Sequence, residues 1–286
     1  MTTSAGDEAR RPIVPDERSG VLFPARLERF AANWIAPNPS VSAVVDQYWH
    51  VSWDLDEDER LTQRVIDLPA ITLTTEEGNV PAPLVVTGVH ARAWRRTILG
   101  RGAVFAVRLR PAGLAVLGDL APSSVADSTV ALTPELDASL HELMSSLASA
   151  ADPAAKAQRA DHVIAGIVAR RSPTQSGLLA NALLDELRTR LHERTGKALA
   201  DHFHCSERTI QRAFAETLGR GPKWVSRRIR LQELARLLVA RPDDDLAFLA
   251  AELNYADHSH LTNDFRTVAG ISPDAYRREA LSLLPG

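Results

Sequence analysis

A pattern of about twenty residues occurs twice in the last third of the chain, with the two copies about fifty residues apart. It reads LADHFHCSERTIQRAFAETLG from Leu199 and LAAELNYADHSHLTNDFRTVAG from Leu249. Both copies contain a small alanine, a short polar run, a phenylalanine and a final glycine in the same order. Their apolar residues recur every three or four positions, which predicts two short helices joined by a tight turn. The chain therefore has to build the same element twice.

In each copy a small polar residue precedes the second helix. Ser206 and Asp257 each carry an oxygen that can accept a hydrogen bond from the free amides at a helix start. The preceding turn contains His204 in the first copy and Asn254 in the second. Asparagine tolerates a left-handed backbone better than most residues do. These residue types predict two tight helix–turn–helix units.

The segment between the two units predicts one continuous helix. It begins near Pro222, ends before Pro242 and has apolar residues at helical spacing between them. Such a helix would hold the two units rigidly. It is also the most basic local segment of the chain, with Lys223, Arg227, Arg228 and Arg230. Cations of this kind suit phosphate contacts, which position a protein on DNA without specifying the sequence.

Polar side chains remain for the outer face of the second helix of each unit. Arginine can chelate guanine O6 and N7, and glutamine can pair with adenine N6 and N7, so a helix start that carries them suits the major groove. The predicted DNA contacts are Ser206, Arg208, Thr209, Gln211 and Arg212 in the first unit, Lys223 and Arg227 in the linker, and His258, Ser259, Thr262 and Asn263 in the second unit.

These motifs resemble the DNA-binding domain of AraC/XylS-family transcriptional regulators. The resemblance rests on LADHFHCSERTIQRAFAETLGRGP, RRIRLQELARLLVA and LAAELNYADHSHLTNDFRTVAGISPDAYRR, which span most of residues 190–278. It implies an all-α domain of seven helices in which the two units make adjacent major-groove contacts on one face of the DNA. The groove-facing positions of the family fall on Arg208, Gln211 and Arg212, and on His258, Ser259 and Asn263.

The sequence departs from the family pattern in three respects. His204 and Asn254 occupy turn positions where the family usually has glycine, and Leu261 replaces a common phenylalanine. Asn263 replaces a frequent arginine or lysine. Because the second unit lacks that cation, we expect it to contribute less DNA affinity than the first unit.

Residues 21–130 have the alternating pattern of short strands. In GAVFAVRLRPAG the apolar Phe105, Val107 and Leu109 alternate with smaller or charged residues, and Pro111 stops the strand. A short helix is expected after Gly113. Further strands are predicted at Gln47–Trp53, Thr62–Leu68, Ala70–Thr74 and Leu84–His90, with turns at EEGN (Glu76–Asn79) and LGRG (Leu99–Gly102). Together they predict a β-barrel or sandwich.

This region resembles a cupin-like sensory domain that precedes the DNA-binding module in some bacterial regulators. The resemblance is carried by DQYWHVSWDL, the LP-A-I strand pair, VTGVHAR and VFAVRLRPAG. It implies a small-molecule or dimerisation role without naming a ligand. Trp49 and Trp53 are candidates to line a pocket, with core packing as the alternative. Arg108 and Arg110 are candidates to bind an acidic effector, with simple solvation as the alternative.

Two amphipathic helices are predicted after the strands. The first starts at Pro134, with leucines at 136, 140, 143 and 147, and the second follows Asp152 and Pro153 and ends at Arg170–Arg171. They need a partner surface, which is the barrel, each other or a second subunit.

The predicted division is a disordered tail at 1–20, a cupin-like β domain at 21–130, helices that connect or dimerise at 131–174, and the DNA-binding domain at 175–286, with RRSPTQSG (Arg170–Gly177) as the main boundary.

Composition limits the chemistry and the location of the protein. The net charge of −3, from 33 basic and 36 acidic residues, does not by itself indicate a nucleic-acid partner. The single cysteine, Cys205, excludes an intramolecular disulfide and a cysteine-based zinc site. Neither a signal peptide nor a run of about 18 apolar residues is present, so a cytoplasmic protein without membrane contact is expected. No cofactor or metal is expected, since the histidines beside Cys205 alternate and point apart, and His258 and His260 read as DNA or solvent contacts.

These features predict an α+β multidomain bacterial transcription regulator rather than an enzyme. Its expected partner is double-stranded DNA at an operator or promoter, and an activator role, contact with RNA polymerase, a homodimer and control by an unidentified small-molecule effector are further expectations. Two alternatives are a cupin-type enzyme tethered to a DNA-binding module and a ligand-independent DNA-binding protein.

Overall fold

The computed structural model describes residues 21–22, 30–56, 58–189 and 196–283. The predicted tail at 1–20 lies outside these residues. Within them, strands form the N-terminal part of the chain and helices the C-terminal part, which confirms the α+β class. Among the described residues, no helix is long and apolar enough to cross a lipid bilayer.

The described strands form two antiparallel sheets. A six-stranded sheet has the order β2-β3-β8-β5-β6-β9, and a three-stranded sheet has the order β1-β4-β7. The strands are Val21–Leu22 (β1), Phe30–Ile35 (β2), Val45–Asp54 (β3), Arg60–Val65 (β4), Thr72–Gly78 (β5), Leu84–Thr87 (β6), Trp94–Leu99 (β7), Arg101–Leu109 (β8) and Thr129–Ala131 (β9).

The space between the two sheets contains a buried ion pair as well as apolar side chains. Arg96 on β7 donates to both carboxylate oxygens of Glu76 on β5, at 2.8 and 2.7 Å. Trp53, Ile98 and Val104 pack in the same region. The predicted turn at Glu76–Asn79 is therefore wrong in its first residues, because β5 continues through Glu76 to Gly78 so that the carboxylate can reach across to Arg96. The predicted ends of β4 and β6 are also a few residues too late.

Three helices accompany the sheets, namely Gly113–Leu117 (α1), Ala138–Ala148 (α2) and Pro153–Arg170 (α3). The first predicted amphipathic helix starts at Ala138 rather than at Pro134, because Asp137 accepts the hydrogen bond from the Leu140 amide. Asp152 caps α3 as predicted. Tyr48 of β3 donates to Asp161 of α3 at 2.8 Å, and leucines of α2 join the same core. The two helices therefore pack on the six-stranded sheet and on each other.

The C-terminal part consists of seven described helices, as the resemblance implies. They are Gln175–Thr189 (α4), Lys197–His202 (α5), Glu207–Leu218 (α6), Pro222–Ala240 (α7), Leu246–Glu252 (α8), His258–Ala269 (α9) and Pro273–Ser282 (α10). The linker is one continuous helix, α7, as predicted. Gly219 and Gly270 end α6 and α9 with φ values of 66° and 74°, which glycine adopts without steric cost.

Helix α4 is bonded directly to the β domain. The Asn181 side chain donates to the Ala43 carbonyl at 2.8 Å and accepts from the Ala112 amide at 3.0 Å. Asp185 forms an ion pair with Arg110 at the edge of the same contact. The predicted boundary at 170–177 is therefore not a gap in the packing, and the division into domains remains a prediction.

Candidate nucleic-acid interface

The first helix–turn–helix unit is formed by α5, a tight turn and α6. His204 in the turn has a left-handed φ of 48°, and the next amide, that of Cys205, donates to the Ala200 carbonyl at 3.0 Å. Ser206 caps α6 by accepting from the Thr209 amide at 3.1 Å. Ala200 is buried where α5 meets α6. The local geometry follows the sequence-based prediction closely.

The second unit, formed by α8 and α9, repeats this geometry. Asn254 has a φ of 55°, and the Tyr255 amide donates to the Ala250 carbonyl at 2.8 Å. Asp257 caps α9 by accepting from the His260 amide at 2.8 Å. The shared turn and cap explain why the two sequence copies place polar residues at the same positions.

The predicted contact residues of the first unit lie on the solvent side of α6. Arg208, Gln211 and Arg212 are exposed, and Thr209 is half-buried. The Arg212 side chain is 69% exposed, with only a loose contact of 3.8 Å to Glu216 one turn later. The opposite side of the helix consists of apolar residues that are buried in the core. The start of α6 therefore presents two guanidinium groups and an amide to solvent, beside the positive end of the helix dipole.

In the second unit, α9 presents a less basic surface. His258, Ser259 and Asn263 are exposed, and Thr262 is half-buried. Arg266 in the last turn is also exposed, and the sequence-based prediction missed it. The helical spacing could have found it, since Arg266 follows Thr262 by four positions and lies on the same side of the helix.

The four predicted cations of the linker helix differ in their exposure and in their contacts. Lys223 is exposed, whereas Arg227 forms an ion pair with Asp264 at 2.8 Å. Arg230 lies 4.6 Å from the centre of the Tyr255 ring and donates to the Asn254 carbonyl. Lys223 is thus the linker cation that can reach a phosphate without first breaking a contact.

Arg228 does not lie on the surface, contrary to the expectation of a phosphate contact. It is only 2% exposed, and its side chain donates to the carbonyls of Asp67, at 2.9 Å, and Arg92, at 3.4 Å. Four residues later, Gln232 donates to the Ile66 carbonyl at 3.1 Å. Burial lowers the pKa of Arg228 to about 10, an effect that the nearby Asp67 opposes. The linker helix is therefore docked on the β domain through this linker contact.

A second group of interactions extends the linker contact. Arg220, just before α7, pairs with Asp127 and donates to the Val89 carbonyl at 3.1 Å. Burial lowers the pKa of the neighbouring His90, whereas Asp127 acts in the opposite direction. Arg220 also lies over the Trp224 ring, 5.2 Å from its centre. The first unit is thereby held against the loop that follows β6.

The four candidate ligand residues do not converge on one cavity in the described structure. Arg108 pairs with Asp46, and Arg110 pairs with Asp185. Trp53 is 4% exposed and donates to the Leu99 carbonyl at 3.1 Å. An open cleft of about 560 Å³ at the end of β3 includes only Trp53 of the four. Trp49 is half-buried between the sheets.

His204 is a position where substitution should stabilise the protein. A residue with a β-carbon pays a steric cost for a left-handed backbone, so His204→Gly is expected to raise the free energy of unfolding by roughly 0.5–1 kcal/mol. Urea denaturation measures this change. Ala215→Gly, on the exposed side of α6, is the matched control and should lower stability by about 1 kcal/mol. A loss of stability in His204→Gly would contradict the prediction.

In the part of the chain that the structure describes, no group of three or more histidine, cysteine, aspartate or glutamate side chains is arranged to hold a metal ion.

Two family models match the chain. Residues 199–279 match a helix-turn-helix domain, and residues 33–131 match a domain of unknown function. Among curated proteins, the chain is 34% identical over 82 residues to the HTH-type transcriptional activator RhaS of Escherichia fergusonii and 31% identical over 85 residues to RhaS of Pectobacterium carotovorum. These alignments cover 29% and 30% of this chain, and the chain spans only about three tenths of the length of these relatives.

Solved structures give a weaker comparison. The C-terminal domain of AraT, a response regulator from Geobacillus stearothermophilus, is 21% identical, with a TM-score of 0.31 over 34% of this chain and 84% of that one. ToxT from Vibrio cholerae is 9% identical, with a TM-score of 0.39 over 91% of this chain and 100% of that one. The similarity to known proteins therefore rests on the match of residues 199–279 to a helix-turn-helix domain.

Proposed function

We propose, from the membership of residues 199–279 in the AraC-type helix-turn-helix family, that the chain is a sequence-specific DNA-binding transcription regulator. The observation that carries the proposal is the pair of equivalent units, each with a capped helix whose polar side is exposed, fixed at the two ends of α7. A rigid pair of such helices suits adjacent major-groove contacts on one face of a duplex.

The exposed residues divide into base-reading and phosphate-binding roles. Arg208 and Arg212 suit guanine edges and Gln211 suits adenine. His258 and Asn263 read bases in the second unit. Lys223 binds a phosphate, a contact that fixes the position of the protein on the duplex.

The β domain is proposed to control this activity rather than to catalyse a reaction. Its contact with α7 and its bonds to α4 give an effector a direct route to the DNA-binding helices. An acidic effector at Arg108 or Arg110 would compete with Asp46 and Asp185 for these guanidinium groups. We further propose that the protein works in the bacterial cytoplasm and, like the relatives named transcriptional activators, activates transcription. Dimerisation and contact with RNA polymerase belong to the same proposal.

Selection of bound duplexes from a random library tests the proposal. The full chain, at moderate ionic strength, is expected to enrich duplexes with two sequence elements about one helical turn apart, roughly 10 base pairs. Specific binding should exceed binding to random competitor by at least about 10³-fold. If no sequence is enriched, the proposed function is wrong. Metal analysis of the purified protein tests the alternative function of a cupin-type enzyme. That alternative requires a bound metal, so protein without metal would contradict it.

A further inference from the structure

The outer side of the three-stranded sheet carries arginines, of which Arg95 is exposed and Arg64 is half-buried. Arg64 on β4 lies directly opposite Arg95 on β7. The neighbouring pair, Thr62 and Thr97, lies on the same side, with hydroxyl oxygens 2.9 Å apart. Arg92, in the loop before β7, is exposed. We call Arg64, Arg92 and Arg95 the arginine face.

The arginine face lacks counter-charges within the described part of the chain. There, no side chain forms an ion pair with any of its three members. The acids at this end of the sheet are engaged elsewhere, since Asp127 pairs with Arg220 and Asp67 lies beside Arg228. Like charges directly opposite each other on neighbouring strands are destabilising. The opposed pair on β4 and β7 therefore lowers stability, and an anion from outside the chain would offset this cost.

The arginine face borders the second helix–turn–helix unit. The amide of Ala93, next to Arg92, donates to the Val268 carbonyl in the last turn of α9 at 2.8 Å. Leu22, which pairs with Arg64 across the β1–β4 ladder, is buried in the same core as Phe265 of α9. Exposed Arg266 lies on this turn as well. Basic residues thus continue from α9 onto the sheet.

We propose that the arginine face binds the phosphate backbone of the duplex beyond the segment contacted by the second unit. This inference rests on the proposed function, because it places a duplex against α9. The end of a groove-reading helix commonly lies near the DNA backbone, and a duplex offers one negative charge per about 1.7 Å of its axis, which suits several arginines in a row. The contact would compensate for the weaker cationic character of α9, and its specificity would be for charge rather than for sequence.

The test compares two lengths of the duplex selected with the full chain. One is the minimal bound duplex, and the other is extended by about one helical turn, roughly 10 base pairs, on the side of the second unit. The slope of the logarithm of the association constant against the logarithm of salt concentration is measured for wild type and for R64Q/R95Q. R170Q/R171Q removes the same charge from exposed positions at the end of α3, outside the three-stranded sheet, and is the matched control.

The extended duplex should give wild type a slope steeper by about 2 to 3, at about 0.9 per phosphate contact. In R64Q/R95Q this difference in slope between the two duplexes should be smaller by about 1.8, because two phosphate contacts are lost, and the slope on the minimal duplex should not change. The control variant should have the slopes of wild type on both duplexes. Equal slopes on both duplexes for wild type, or equal losses in test and control variants, would overturn the inference while leaving the proposed function intact. If wild type selects no duplex, both fail together. Chemical footprinting locates the added contact on the flanking backbone, and a flank that stays unprotected would favour an acidic protein as the partner and also overturn the inference.

Discussion

Replacing Arg228 with alanine is expected to lower the free energy of unfolding by about 3 kcal/mol or more. Arg228 is 2% exposed, and its guanidinium group donates to two carbonyl groups of the β domain. Its loss leaves those buried acceptors without a donor, at about 1–3 kcal/mol for each unsatisfied group. It also removes the cation that faces Asp67, whose pKa burial already raises to about 6. Removing one partner of a buried charged contact is strongly destabilising for this reason.

Urea denaturation followed by tryptophan fluorescence measures this effect. Arg208→Ala, which removes an exposed arginine from α6, is the matched control and should change stability by no more than about 0.5 kcal/mol. Arg228→Lys keeps the charge but not the forked geometry, so it should fall between wild type and alanine. A loss in Arg228→Ala no larger than that of the control would show that the linker contact does not hold the helix in solution.

Arg212→Ala is expected to weaken binding to the selected duplex much more than Asn263→Ala does. A bidentate contact from arginine to a base is worth about 1–3 kcal/mol, or roughly 5- to 150-fold in affinity. Arg212 is 69% exposed, and its contact with Glu216 is long, at 3.8 Å, so the guanidinium group can make such a contact instead. Asn263 is exposed as well but carries no charge, so its loss removes a neutral base contact and no counterion-releasing group.

Titration of both variants against one duplex at fixed salt makes the comparison. Arg170→Ala, at the end of α3 and outside the two units, should bind within about twofold of wild type, or roughly 0.4 kcal/mol. Equal losses for Arg212→Ala and Asn263→Ala would contradict the expectation that the first unit dominates affinity.

The helix–turn–helix units could be predicted because their determinants are local. Ser206 and Asp257 cap helices through amides three residues away, and His204 and Asn254 adopt the left-handed turn within a few residues of their partners. Interactions of this range depend on residues that are close in the sequence, so a short sequence pattern is enough to predict them. The same holds for Asp152, which caps α3 as predicted.

The contacts between distant parts of the chain could not be predicted in this way. Arg228 and its partner Asp67 are 161 positions apart, and as part of a basic run Arg228 looked like a surface residue. Strand β7 was not predicted, because its inward-facing Arg96 breaks the apolar alternation and pairs with Glu76 on the other sheet. In both cases a charged residue is buried because its partner comes from elsewhere in the chain.

The amide side chain of Asn181 has a consequence for how the molecule can be divided. Its two hydrogen bonds satisfy a carbonyl and an amide of the β domain that would otherwise be buried without partners. If the chain were cut between α3 and α4, the carbonyl and the amide would lose their hydrogen-bond partner on one fragment. The apolar side of α4 would be exposed to solvent on the other fragment. Isolated halves should therefore be poorly soluble.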